Sequence, residues 1–130
     1  MKNLLRIVMA LLALGLLVVG LGFATASPRA MSDFAIAVTG PHGMGTVRAD
    51  MGGCFIALSL FTLFGLRRGQ ARWLIVPLQF LGLILLLRLI HLGVDGVTSE
   101  GLRSTVIEIV MLVSLLAARR VFADDVQSTP

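Results

Sequence analysis

Four runs of apolar residues, each about as long as a bilayer is thick, fill most of this chain. Crossing about 30 Å of hydrocarbon takes roughly 20 helical residues at 1.5 Å each. Leu4 to Ala24 is the first run, interrupted only by Arg6. Val47 to Leu66 is the second. Trp73 to Leu92 is the third, with Pro77 in its first turns and Arg88 and His91 near its end. Leu102 to Ala118 is the fourth, and Glu108 lies inside it. Lipid offers no hydrogen bonds to a bare backbone, so spans of this length fold as helices. Charged residues make up 14% of the chain, against roughly 25% in soluble domains. Mean hydropathy is +0.96. A soluble fold of this size would have too few polar side chains to cover its surface. The expected architecture is all-α, a single-domain integral membrane four-helix bundle over residues 1–130.

The connections carry turn chemistry. Residues 25–46 form the longest loop, with Ser27-Pro28 and then Thr39-Gly40-Pro41-His42-Gly43-Met44-Gly45. That Gly/Pro density predicts turns rather than helix. A short interfacial helix fits Met31 to Val38, and Thr46 is placed to cap the second span. Arg67 to Arg72 reads as a tight turn, and Gly93 to Gly101, with Asp95-Gly96, as the third connection. The tail after Arg120 is short and polar and is expected to fray.

Charge sets the orientation. With both ends inside, the cytoplasmic side holds Lys2, Arg6, Arg67, Arg68, Arg72, Arg119 and Arg120, and the outer loops hold Arg29, Arg48 and Arg103. That bias follows the positive-inside rule. The net charge of +4 does not point to nucleic acid, because the arginines sit at helix ends with no basic stripe or interleaved aromatics. It fits topogenic charge and contact with anionic lipid. A rival reading of the N-terminus is a signal peptide, with Ala24-Thr25-Ala26 as an A-x-A cleavage site. The apolar stretch is long for a signal and long enough to span, so a retained helix is preferred.

Ionisable groups inside a span are expensive and are the first functional candidates. Arg88 lies about 22 Å from the inner boundary at Trp73, and Glu108 about 16 Å from Arg119. Helical side chains lean toward their own N-terminus. Arg88 therefore leans inward and Glu108 outward, and the two converge in the outer half of the membrane. The expected site is an Arg88–Glu108 ion pair, with His91 one turn outward on the same face and Arg48 and Asp50 closing the cluster from the second span. Such a cluster either pins helix register or offers a polar pocket for a lipid headgroup, quinone or small anion. The inner half holds only Gln79, Ser59, Thr62 and Ser114, which disfavours a through-going relay.

Other signals are weaker. His42 and Met44, with Met31 and Met51, have the soft ligand types of a copper(I) site but irregular spacing. His42 and His91 could in principle ligate haem, but His42 sits in a Gly/Pro loop. Cys54 excludes an intrachain disulfide, being the one cysteine, and its apolar setting predicts a packed, inert thiol. Gly53 and Ala57, like Gly15, Gly20 and Gly22, suit close helix packing. No P-loop, H-E-x-x-H, C-x-x-C or G-x-S-x-G is present. Thr98 and Ser99, near His91, lie in a short loop with Asp95 and Glu100, where adjacent residues rarely achieve triad geometry.

Arg48-Ala49-Asp50-Met51-Gly52-Gly53 opening one span, Arg88 ending the next, Asp95-Gly96 beyond it and Glu108 in the last resemble a family of small bacterial membrane proteins catalogued as domain of unknown function 4345. The resemblance covers essentially the whole chain, most specifically Arg48 to Arg120. The family pattern has an aromatic residue before the double glycine, where this chain has Met51, so no role for a phenol carries over. The resemblance implies four helices and a bacterial inner-membrane location, and no activity. The chain is also distantly similar to the DoxX-like group of four-helix membrane proteins, some of which are linked to quinone-coupled redox chemistry. The functional expectation is a non-enzymatic accessory or ligand-binding subunit with a periplasm-facing polar cluster. The alternatives are a quinone- or haem-associated redox accessory protein and a small transporter component. The residues name no cofactor. The expected partners are the lipid bilayer and either another membrane protein or further copies of the chain.

Overall fold

In a computed structural model, which describes residues 2–127 of the chain and the side chains of residues 2–123, every regular element is helical. The order is α1 (Lys2–Ala24), α2 (Pro28–Asp33), α3 (Gly40–Thr46), a π-helical segment (Val47–Gly52), α4 (Gly53–Gly65), a 3₁₀ turn (Ala71–Leu74), α5 (Ile75–Val94) and α6 (Ser99–Gln127). Among the described residues, three helices are long and apolar enough to cross a membrane: Lys2–Ala24, the continuous run Gly40–Gly65, and Ala71–Val94. Only 22–28% of each apolar window is buried inside the protein. The remaining faces are large aliphatic side chains, among them Leu11, Val18, Leu83, Leu87 and Ile90. An apolar surface of that extent is the mark of a chain solvated by lipid.

α1 is the spine. It packs along α4 on one side and α6 on the other, while α5 packs mainly on α6. The α1–α4 crossing is built from small residues. A Cβ on Gly20 would sit 2.8 Å from the Ile56 backbone nitrogen, and one on Gly52 would sit 2.9 Å from the Ala24 nitrogen. Backbones this close gain dispersion contacts that lipid cannot supply, which is how small residues drive helix association in membranes. The packing glycine is Gly52 and not the expected Gly53, which has open space around it, as does Gly15. The π segment explains the shift. Val47 and Gly52 are both buried. Five residues apart, they would lie about 140° apart on a regular α-helix. The wider π turn brings both onto the face that meets α1.

At one end of the bundle, Met9, Ala71, Leu74, Leu81, Leu115, Ala118 and Phe122 form the main core cluster. The 3₁₀ turn inserts Leu74 there, fully buried, against Gly65, where no Cβ could be accommodated. The Arg6 guanidinium lies over the Phe122 ring, 5.1 Å from its centroid. The N-terminus of α1, the Arg67–Arg72 turn and the C-terminal part of α6 thus meet at this end. Arg29, Arg48 and Arg103 belong to elements at the other. There Phe23, Phe34 and Phe55 form an aromatic knot, with Phe23 and Phe34 edge to face at 4.9 Å.

Several local expectations change. Residues 40–46 are helical and not turns: Pro41 falls in the first turn of α3, where its missing N–H costs nothing and its φ suits the helix. Thr46 does not cap the second span. It lies inside the continuous helix with its hydroxyl donating to the His42 carbonyl. The short helix before it covers Pro28–Asp33 and not Met31–Val38. It ends with Ala35 in the left-handed region, φ 52°. α1 ends in the same way, at Ala26 with φ 54°. Ser27 N–H donates to the Gly22 carbonyl and Ala26 N–H to that of Phe23, the bonding pattern of a Schellman stop. Cys54 is exposed, not packed. Helix α6 continues past Arg120 to Gln127, so the tail does not fray there, and residues 128–130 lie outside the described residues.

Candidate functional site: an ion pair between two apolar helices

α5 and α6 are antiparallel, joined by residues 95–98, and the junction is tightly specified. Gly96, at φ 101°, turns the chain. The Thr98 hydroxyl oxygen accepts the Gly101 N–H at 3.0 Å, and the Thr98 carbonyl accepts the Leu102 N–H. Thr98 is therefore the N-cap of α6. A Cβ on Gly101 would meet Leu92 at 2.9 Å, so the glycine lets the two helices touch at their start. Glu100, in the first turn, is held below its ordinary pKa by hydrogen bonds from its own backbone and from the Ser99 hydroxyl. The N-terminus of a helix favours such a charge.

This junction fixes the register that brings Arg88 to Glu108. Arg88 donates from Nε to Glu108 Oε1 at 2.8 Å, and Nη2 lies 2.7 Å from the same oxygen. Both nitrogens thus engage one carboxylate oxygen and not the fork-to-fork arrangement of a full bidentate pair. Oε2 of Glu108 is buried without a hydrogen-bond partner. Glu108 as a whole is 9% exposed, whereas 30% of the Arg88 side chain is accessible. The pair is open on the arginine side and closed on the carboxylate side. Around it the exposed faces are Leu87, Leu89, Ile90, Ile107, Ile109 and Val110. The nearby hydroxyl of Thr105 is occupied by the Gly101 carbonyl at 2.8 Å.

The other expected members do not join. His91 is half exposed and its Nδ1 lies 2.7 Å from Asp95 Oδ2, forming an i,i+4 pair at the end of α5. Asp95 belongs to the expected connection Gly93 to Gly101, beyond the expected end of the third span at Leu92. Its spacing from His91 on a helix that extends past Leu92 is the signal that could have found it. Arg48 and Asp50 lie exposed on the π segment, which packs on α1, α3 and α4. Among the described residues they make no contact with the Arg88–Glu108 pair. The reason is helix adjacency: α4 lies against α1, while α5 and α6 pair with each other. His42 stands in α3, exposed, and no group of three or more metal-binding side chains occurs among the described residues.

Of the hydroxyls expected in the inner half, Thr62 and Ser114 donate to the carbonyls of Leu58 and Val110. This is how polar side chains are usually satisfied inside a membrane helix. Ser59 is fully buried and its hydroxyl has no partner. Compared with known proteins, the chain matches no family model, no curated protein and no solved structure.

Proposed function

We propose that this chain is a four-span protein of a bacterial inner membrane, with both ends cytoplasmic, that serves as a non-enzymatic accessory or ligand-binding subunit. The site of action is the Arg88–Glu108 pair, which takes the polar head of a small ligand or lipid in the outer half of the bilayer. The observation that carries this reading is the unfilled carboxylate oxygen, Glu108 Oε2, beside a partly accessible guanidinium. A buried acceptor without a donor costs free energy; a ligand's acceptor group meets the pair from its open side, at Arg88, and a hydroxyl or N–H on that ligand satisfies Oε2 once the Glu108 side chain turns toward the same side. Support for the fourth crossing comes from α6 itself. Val106, Ile107, Val110, Val113 and Leu116 are exposed along 102–118, and the basic residues of both chain ends gather with the Arg67–Arg72 turn at one end of the bundle, as the positive-inside rule requires. The family resemblance belongs to the same proposal.

A quinone-linked redox role is the second reading. It is favoured by the His91–Asp95 pair one turn beyond Arg88, which sets an imidazole in contact with a carboxylate close to the ion pair. No feature of the fold favours a transporter component over these.

The test is native mass spectrometry with an absorption spectrum on protein purified gently in detergent, run on the wild type and on Glu108→Gln. A stoichiometric small molecule that disappears in the variant supports the ligand-binding reading, and a quinone spectrum names the redox one. A wild-type protein carrying only bulk lipid identifies the pair as a register device and overturns the proposal.

A further inference from the structure

The basic end of the bundle holds a second feature, remote from the Arg88–Glu108 pair. Between α4 and the 3₁₀ turn lies an open cleft of about 500 Å³, lined by Phe61, Phe64, Arg67, Arg68, Gln70 and Trp73. Its shape comes from the turn. Gly69, at φ 74°, reverses the chain, and Gln70 N–H donates to the Arg67 carbonyl. Trp73 stacks on Phe61, with centroids 5.7 Å apart and 29° between planes. Its indole N–H donates to Gln70 Oε1 at 3.1 Å, which leaves the amide N–H groups of Gln70 as donors. The Arg67 guanidinium lies over the Phe64 ring at 5.0 Å, and that of Arg72 over the Trp73 ring at 5.6 Å.

Two facts decide what such a cleft takes. Among the described residues, no carboxylate lies within ion-pair distance of Arg67, Arg68 or Arg72, so three guanidiniums gather at one turn with no counter-charge from any described side chain. Two of them rest on aromatic faces, which positions them without consuming their N–H donors. Beneath them the walls are aromatic, and Phe64 and Trp73 are partly exposed on the outside of the bundle. A cationic, donor-rich rim over an aromatic, outward-open wall complements an anion attached to a hydrocarbon chain. Arginine is suited to the phosphodiester oxygens, and aromatic residues are suited to the level of the headgroups.

We propose that this cleft is a binding site for one anionic phospholipid. Its phosphate is held by Arg67, Arg68 and Gln70, and the upper part of an acyl chain lies on Phe61, Phe64 and Trp73. The site is separate from the Arg88–Glu108 pair, and its occupancy does not depend on what that pair binds.

Trp73 is the only tryptophan in the chain, so its fluorescence reports on this cleft alone. The experiment reconstitutes the full chain in vesicles of zwitterionic phosphatidylcholine. It then compares quenching by phosphatidylglycerol and by phosphatidylcholine, each with dibrominated acyl chains and each at the same small mole fraction. The expected result is stronger quenching by the anionic lipid, with an apparent preference of about five-fold for each guanidinium engaged. The preference is lost in Arg67→Gln/Arg68→Gln and kept when Arg119 and Arg120 are changed to Gln. An excess of inorganic phosphate leaves it unchanged, because the acyl chain contributes to the binding. Equal quenching by the two lipids in the wild type overturns the proposal and needs no variant to fold. So does a preference that survives the double substitution, or one that free phosphate abolishes, which would mark a site for a small anion. Absence of quenching by either lipid overturns the proposal in the same way, because a filled site would hold a brominated chain against Trp73.

Discussion

Replacing Arg88 by leucine should destabilise the protein more than replacing Glu108, although the two residues form one pair. The asymmetry follows from exposure: 30% of the Arg88 side chain is accessible and 11% of that of Glu108. Arg88→Leu leaves a carboxylate with both oxygens unpartnered in an apolar setting, and breaking a buried pair in this way costs about 3–5 kcal/mol. Glu108→Leu leaves a guanidinium on a long stem. Arg88 is six residues from the end of α5 at Val94, about 9 Å along the axis, within reach of the boundary by snorkelling. That loss should stay below the roughly 2.5–3.5 kcal/mol of an arginine at the bilayer centre. The double leucine variant removes both charges and should fall within about 1 kcal/mol of the wild type or above it. The coupling between the two sites would then be about 3 kcal/mol or more, at or above the top of the range for residues in direct contact. The assay is reversible unfolding from mild-detergent micelles by sodium dodecyl sulfate, followed by circular dichroism. Glu108→Leu proving as damaging as Arg88→Leu would refute the exposure argument. A double variant less stable than either single one would refute the pairing.

Four further outcomes follow from local structure. Ala26 sits in the left-handed region at the end of α1, where an L side chain costs about 1–2 kcal/mol. Ala26→Gly should therefore raise stability in the same assay, and a loss would mean that the methyl group makes a contact that outweighs the strain. Gly52→Leu should cost at least about 1–3 kcal/mol through overpacking against Ala24, whereas Gly53→Leu, next in sequence, should be nearly neutral; equal effects would contradict the π-shifted register. Thr98→Ala should lose about 1 kcal/mol with the α6 cap. Because the folded-state pKa of Glu100 is lowered, the stabilisation it lends the same helix start is complete above the ordinary glutamate range. It is lost as pH falls through the lowered value. A side-chain NMR titration showing Glu100 at or above the ordinary value would contradict this.

The long-range plan was readable because lipid simplifies the problem. Run length located every long helix, and depth with side-chain lean brought Arg88 and Glu108 together before any packing was known. What escaped notice depends on which helices are neighbours and on how a turn is wound. Arg48 and Asp50 are expected at the depth of the pair but stand on the segment that packs against α1. Hydropathy carries no information about that adjacency. The π segment leaves no compositional trace, so the packing role fell to Gly53 on paper and to Gly52 in the fold. Pro41 reads as a breaker by composition, yet at the first turn of a helix it is a starter. His91 lost its place beside Arg88 because α5 extends to Val94 and offers it Asp95, an i,i+4 partner that the shorter expected span excluded.

In the proposed function α6 carries Glu108 across the membrane as a fourth span. The most direct test introduces single cysteines at Val97 and at Ala123, flanking that span, in a Cys54→Ala background. Both positions are exposed. Spheroplasts are then treated with a membrane-impermeant maleimide before and after permeabilisation. The account predicts labelling of Val97→Cys in intact spheroplasts and of Ala123→Cys only after permeabilisation. Labelling of both from the same side would show that α6 does not cross, and would remove Glu108 and its arginine from the membrane interior.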